Sequence, residues 1–166
     1  EIPFLPISFF KSHVLKSGEF AESFIFESSG TTGSINSRHY IKRLSTYLTN
    51  AENNFREAYG DPSGYCFLAL LPSYLERGNS SLVAMADHFI KLSQHPLGGF
   101  FLYDKERLHT VLLELESQDQ AVVLLGVTYA LIDFAEEYPM NLQHTIVMET
   151  GGMKGRKKEL TRAELH

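Results

Sequence analysis

The chain has 166 residues, 43% hydrophobic and 12% aromatic, which suits one domain with a substantial core. Its net charge of -5 and pI near 5.8 give no support to a nucleic-acid or polybasic membrane role. Cys66 is the single cysteine, so an internal disulfide framework and a cysteine-based zinc cluster are excluded. A chain of this kind suits a reducing cytoplasm, and no apolar run approaches the roughly 18 residues a membrane helix needs.

The elements follow in chain order. Phe24 to Glu27 reads as a short strand, and the loop Ser28-Ser29-Gly30-Thr31-Thr32-Gly33 follows it. Ser37 to Tyr59 reads as a helix, because Tyr40, Leu44, Tyr47, Leu48, Ala51, Phe55 and Ala58 recur at helical spacing. Gly60 with Asp61-Pro62 stops it. Tyr65 to Leu71 is a continuous apolar run, as expected of a strand buried on both faces. Ser80 to Leu92 is a second amphipathic helix, and Phe100 to Tyr103 a short strand. Asp104 caps a third helix whose buried face is Leu108, Val111, Leu112 and Leu115. Ala121 to Gly126 is another buried strand, Thr128 to Glu137 a fourth helix and His144 to Met148 a further strand.

Strands and helices alternate from about residue 60, which implies an α/β fold with a mostly parallel sheet flanked by helices. In such sheets ligands collect at the carboxyl ends of strands. Two glycine-containing loops follow strands in this reading, Ser28 to Gly33 and Thr150 to Gly155. Near the end, Thr161 and Glu164 have the spacing of a capping box, yet the chain stops at His166. Residues 1–166 are therefore expected to be part of a nucleotide- and acyl-binding domain truncated at both ends, whose cut face favours self-association.

The first loop lacks the G-x-x-x-x-G-K-[ST] pattern. Its glycines let a backbone approach closely, and its hydroxyls and amides are neutral donors suited to phosphate. A helix start after it adds partial positive charge, and Arg38, one residue into that helix, is placed to reach the same anion. By composition alone, an ordinary turn is the better explanation of these residues.

"SSGTTGS" after a strand resembles the phosphate-binding loop of adenylate-forming enzymes, the superfamily of acyl-CoA synthetases and related ligases. With "IPFLPISFFKSH", "LLPSYLERGNSSLV" and "ETGGMKGRKKELTRAELH" in order, the chain resembles the acyl-protein synthetase family, the fatty-acid-activating component of the bacterial bioluminescence reductase complex, over nearly its whole length. The resemblance implies an enzyme that joins a carboxylic acid to the α-phosphate of ATP, with Mg²⁺, and passes the acyl group to a second nucleophile. It implies that Ser28, Ser29, Gly30, Thr31, Thr32 and Gly33 hold the phosphates, and Arg38 is placed to supply the charge of the lysine that the superfamily pattern carries. It also implies that Glu149, Thr150, Gly151 and Gly152 border adenine and acyl group. No catalytic residue and no metal ligand is assigned.

The sequence departs from that pattern. Ile35 and Asn36 stand where many superfamily members carry proline and lysine. The tyrosine-glycine-x-threonine-glutamate motif, the ribose-binding aspartate and the carboxy-terminal catalytic lysine are absent from these residues. Cys66 lies in an apolar run and reads as a buried, inert thiol rather than an acyl carrier. Three readings stay open: acyl transfer to a protein thiol, transfer to coenzyme A as in phenylacetate-type ligases, and a nucleotide-binding module without turnover. The expected partners are a carboxylic acid and an acyl-acceptor protein or coenzyme A, with no nucleic acid and no membrane span.

Overall fold

The computed structural model describes residues 4–28, 35–71 and 78–151. A single turn of helix, α1 (Phe9–Ser12), precedes a hairpin of β1 (Phe24–Glu27) and β2 (Arg38–Ile41). The two strands pair antiparallel, Phe24 opposite Ile41 and Glu27 opposite Arg38. Ser28 closes the ladder: its N–H donates to Ser37 O (3.0 Å), and its hydroxyl accepts from Ser37 N–H (3.0 Å).

The hairpin overturns the expected helix start at Ser37. Helix α2 runs Leu44–Tyr59, so Arg38 is a strand residue and no helix begins directly behind the loop. Tyr40 falls four residues before Leu44 and fits a helical period by spacing alone. Backbone satisfaction decides otherwise, because β1 needs partners for its N–H and C=O groups and β2 supplies them. Gly60 ends α2 at φ 88°, a left-handed conformation that glycine adopts without a Cβ penalty.

The main sheet holds β3 (Cys66–Leu70), β4 (Gly99–Phe100), β5 (Val122–Val127) and β6 (Thr145–Thr150) in the order β4-β3-β5-β6. Every pairing in it is parallel, as the alternation of elements predicts. The hairpin forms a separate two-stranded sheet, so β1 is not a strand of the parallel sheet. β3 and β5 are buried throughout, which explains their unbroken apolar sequence.

Three helices link the parallel strands: α3 (Ser81–Ser93), α4 (Lys105–Ser117) and α5 (Thr128–Glu137). Ser80 Oγ caps α3 by accepting from Val83 N–H (3.4 Å), and Asp104 Oδ1 caps α4 by accepting from Arg107 N–H (3.0 Å). Leu108, Val111, Leu112 and Leu115 form the buried stripe of α4, as their spacing predicts. They pack with Leu68 and Leu124 in the larger core. A second cluster joins Phe55 of α2, Phe67 of β3, Phe89 of α3 and Val123 of β5.

Glu116, at the end of α4, anchors the approach to β6. Its carboxylate accepts from the N–H groups of Gln143 (2.9 Å) and His144 (3.1 Å) and from Thr145 Oγ1 (2.7 Å). Partial burial pushes its pKa upward, but these donors outweigh it and hold the carboxyl below its ordinary value. A depressed folded pKa gives stability that is present above the unfolded value near 4.5 and lost as pH falls through the folded value. Glu116→Gln is therefore expected to cost about 1–2 kcal/mol at neutral pH. The difference from the native chain should shrink in acid, as read by urea melts at pH 7 and pH 3.

Candidate functional site at the carboxyl edge of the sheet

β3, β5 and β6 run parallel and end on one edge, where connections to the helices start. Three observations gather residues there. Glu27 N–H, at the end of β1, donates to Asn79 O (2.9 Å), just ahead of α3. Phe26 packs on Tyr47 of α2 (ring centroids 5.0 Å apart), and Tyr47 Oη donates to Ser81 O (3.0 Å) at the start of α3. Thr128, 5% exposed at the start of α5, donates to Glu149 Oε1 and touches Gly151 O (3.4 Å).

The carboxyl end of β6 is thus tied to that of β5. Gly151 follows β6 at φ 93°, so the chain turns there in a conformation a side chain would strain. Glu149 and Thr150 are the last residues of β6, and Glu149 is exposed apart from its bond to Thr128. The structure brings Glu149, Thr150 and Gly151 together at this edge. Ser28 sits at the mouth of the hairpin loop, with its hydroxyl used to close the ladder. Arg38 faces Glu27 across the hairpin (Nε to Oε1, 3.4 Å) and is otherwise exposed. Ser29, Gly30, Thr31, Thr32, Gly33 and Gly152 lie outside the described residues, as do Tyr74, Glu76 and Arg77.

Thr128 was missed by the sequence reading. Its signal was a hydroxyl placed directly between a buried strand and a helix, at the edge where such folds bind ligands. A cavity of about 450 Å³ was also missed. It lies between α2, α3 and the sheet, with Ala51, Phe55, Met85, Phe89, Val123 and Met148 among its walls. In sequence these residues read as separate helix and strand faces, and only the fold shows that α2 stands away from the sheet.

Cys66 is fully buried, and burial pushes its thiol up to about 12, so almost no thiolate exists at neutral pH. A maleimide is expected to leave the native chain unlabelled for hours at pH 7 and to label it fully in denaturant, as mass spectrometry would read. Among the described residues no group of three His, Cys, Asp or Glu side chains is arranged to hold a metal ion. Likewise, no helix among them is long and apolar enough to cross a membrane. Comparison with family models, curated proteins and solved structures returns no match to the chain.

Proposed function

We propose that this chain is the α/β part of an ATP-dependent acyl-activating enzyme, which adenylates a carboxylic acid and passes the acyl group to a protein thiol. One observation carries the reading: the ends of β5 and β6 are clasped through Thr128, Glu149 and Gly151 on the edge where the end of β1, just before Ser28, is tied to Asn79. An in-line attack on phosphorus needs alignment and neutralised charge more than covalent help, which a strand-end edge of this kind suits.

ATP with Mg²⁺ would supply the adenylyl group and the pyrophosphate that leaves. The chain's own part is to hold and orient. Ser28, Ser29, Gly30, Thr31, Thr32, Gly33 and Arg38 are assigned to the phosphates, and Glu149, Thr150, Gly151 and Gly152 to the border of adenine and acid. Arg38 supports this assignment: among the described residues it has one carboxylate partner, at 3.4 Å, and its guanidinium is exposed. The acyl acceptor is a thiol other than Cys66, whose burial removes it from contact with any acyl group. The test is exchange of labelled pyrophosphate into ATP by the full gene product, with a panel of fatty and aromatic acids. Acid-dependent exchange is the expected result, and none with any acid would overturn the reading.

A further inference from the structure

We propose that the amino-terminal region docks on an anionic phospholipid surface, with Phe4 and Ile7 entering the lipid interface and Lys42 and Arg43 meeting the head groups. The inference stands on the residues around β2 and is independent of the adenylation reading.

The apolar half of the surface lies in residues 4–14. Five of the ten large hydrophobic side chains exposed among the described residues fall there: Phe4, Leu5, Ile7, Phe9 and Val14. Scattered singly they would be ordinary, but gathered in so short a stretch they form a patch that calls for a partner. Phe4 is 98% exposed and Ile7 83%, so nearly the whole of each side chain is available for burial. α1 buries no residue, and a single turn does not repay its own nucleation. The segment is held from one side instead, where Phe10 stacks on His39 of β2 (centroids 4.8 Å apart, planes 26° apart).

Charge decides what the partner is. The chain carries -5 overall, yet residues 4–43 hold five cations, Lys11, Lys16, Arg38, Lys42 and Arg43, against three carboxylates, Glu19, Glu22 and Glu27. Lys16 pairs with Glu22, and Arg38 lies 3.4 Å from Glu27. Lys11, Lys42 and Arg43 are exposed and form no ion pair among the described residues. Lys42 and Arg43 also stand at the positive end of α2, whose first turn has no acidic residue, so an anion between them relieves repulsion. They directly follow β2, whose four residues span about 13 Å, so they share one small region with the segment stacked on His39.

A depression of about 450 Å³ opens beside these two cations, with Tyr40, Thr46, Tyr47 and Asn50 among its walls. At about 30 Å³ per non-hydrogen atom, a glycerophosphate head group of roughly ten such atoms takes about 300 Å³ and fits it. A second copy of the chain would bring the same cations and be repelled. A nucleic acid would pair the cations but leave Phe4, Leu5 and Ile7 in water. A neutral bilayer would take the apolar side chains and leave the cations unpaired. An anionic lipid surface satisfies both halves, because apolar insertion and attraction to lipid phosphate add.

The test is flotation of the chain with phosphatidylcholine vesicles, with and without phosphatidylglycerol. Binding is expected to be at least tenfold stronger with phosphatidylglycerol and to weaken as salt is raised. Phe4→Ser/Ile7→Ser and Lys42→Glu/Arg43→Glu should each lose at least tenfold in binding with an unchanged melting temperature, since all four side chains are exposed. Lys42→Gln/Arg43→Gln serves where charge reversal disturbs folding. The chain has no tryptophan, so Phe4→Trp supplies a single indole whose emission should move to shorter wavelength on phosphatidylglycerol vesicles. No flotation, equal binding to both vesicles, indifference to either pair of substitutions, or an unmoved emission would each overturn the proposal. So would a lipid-free dimer, seen by ultracentrifugation, that the Phe4→Ser/Ile7→Ser variant abolishes. Pyrophosphate exchange is read separately, so either proposal can fail while the other stands.

Discussion

Truncating Phe55 to alanine is expected to cost about 3–5 kcal/mol and to free α2 from the sheet. Phe55 is the one buried residue of that 16-residue helix. Its ring meets those of Tyr59 and Phe89 at 5.1 Å and of Tyr65 and Phe67 at 5.4 Å, so one side chain joins α2 to β3 and α3. Such contacts add to simple area burial because edge-to-face rings attract through their quadrupoles. Towards its amino end α2 is held more lightly, by Tyr47 on Phe26 and Ser81 O and by Ala51 against the same aromatic cluster, beside the cavity. The polar set beside it is half-exposed: Glu52 pairs with Arg56 (2.9 Å) and His88 (3.4 Å), and such pairs contribute little. The measurement is urea unfolding followed by circular dichroism. A fall in midpoint with a reduced m-value would show α2 detaching before the rest unfolds. Phe55→Leu, which keeps most of the volume, should retain more than half of the lost stability. A Phe55→Ala melt within about 1 kcal/mol of the parent would mean that α2 is held by something other than this ring.

Gly126→Ala is the second large effect, and it comes from crowding rather than from a void. A Cβ at Gly126 would lie 2.6 Å from Leu131 Cγ and 2.6 Å from its Cδ2. Leu131 belongs to α5, which leaves β5 only two residues later, so neither backbone has slack to move apart. Overpacking of this kind costs about 1–3 kcal/mol, and Gly126→Val should exceed that range. The cause can be isolated by a double-mutant cycle with Leu131→Ala, which removes the clashing atoms. The double variant should be less destabilised than the sum of the single variants by about 1 kcal/mol or more. Strict additivity would place the cost elsewhere. The same substitution bears on the candidate site: Gly126 pairs with Glu149 in the sheet and lies two residues before Thr128. A shift of α5 there pulls on the clasp between the two strand ends.

What could be read from the sequence, and what could not, divides along physical lines. β3, β5 and the three helices between parallel strands were legible because each depends on local periodicity and on caps written in neighbouring residues. Ser80 and Asp104 cap the helices they precede, and Thr128–Glu137 is helical over the predicted bounds. β2 was not legible, because a four-residue strand takes its identity from its partner across the loop. Tyr40 and Leu44 satisfy a helical period equally well, and pairing with β1 is a non-local fact. That misreading also removed one support for anion binding at the loop, since no helix starts at Ser37. On the sheet edge the turn at Gly151 was legible from its place after an apolar strand, although Glu149 and Thr150, read as lying beyond that strand, are its last two residues. Thr128 and the cavity were not legible, since both arise where separate elements meet. Tyr47 shows the same limit: its spacing marks a helix face, but only the fold reveals that its hydroxyl reaches Ser81 and its ring reaches Phe26.

Among the described residues β6 has a neighbour on one side only, and Val147 on it is 51% exposed. A strand in this position can recruit another chain to extend its ladder. Glu149, exposed near the end of β6, places a charge on that edge, and a charge on an edge strand opposes such pairing.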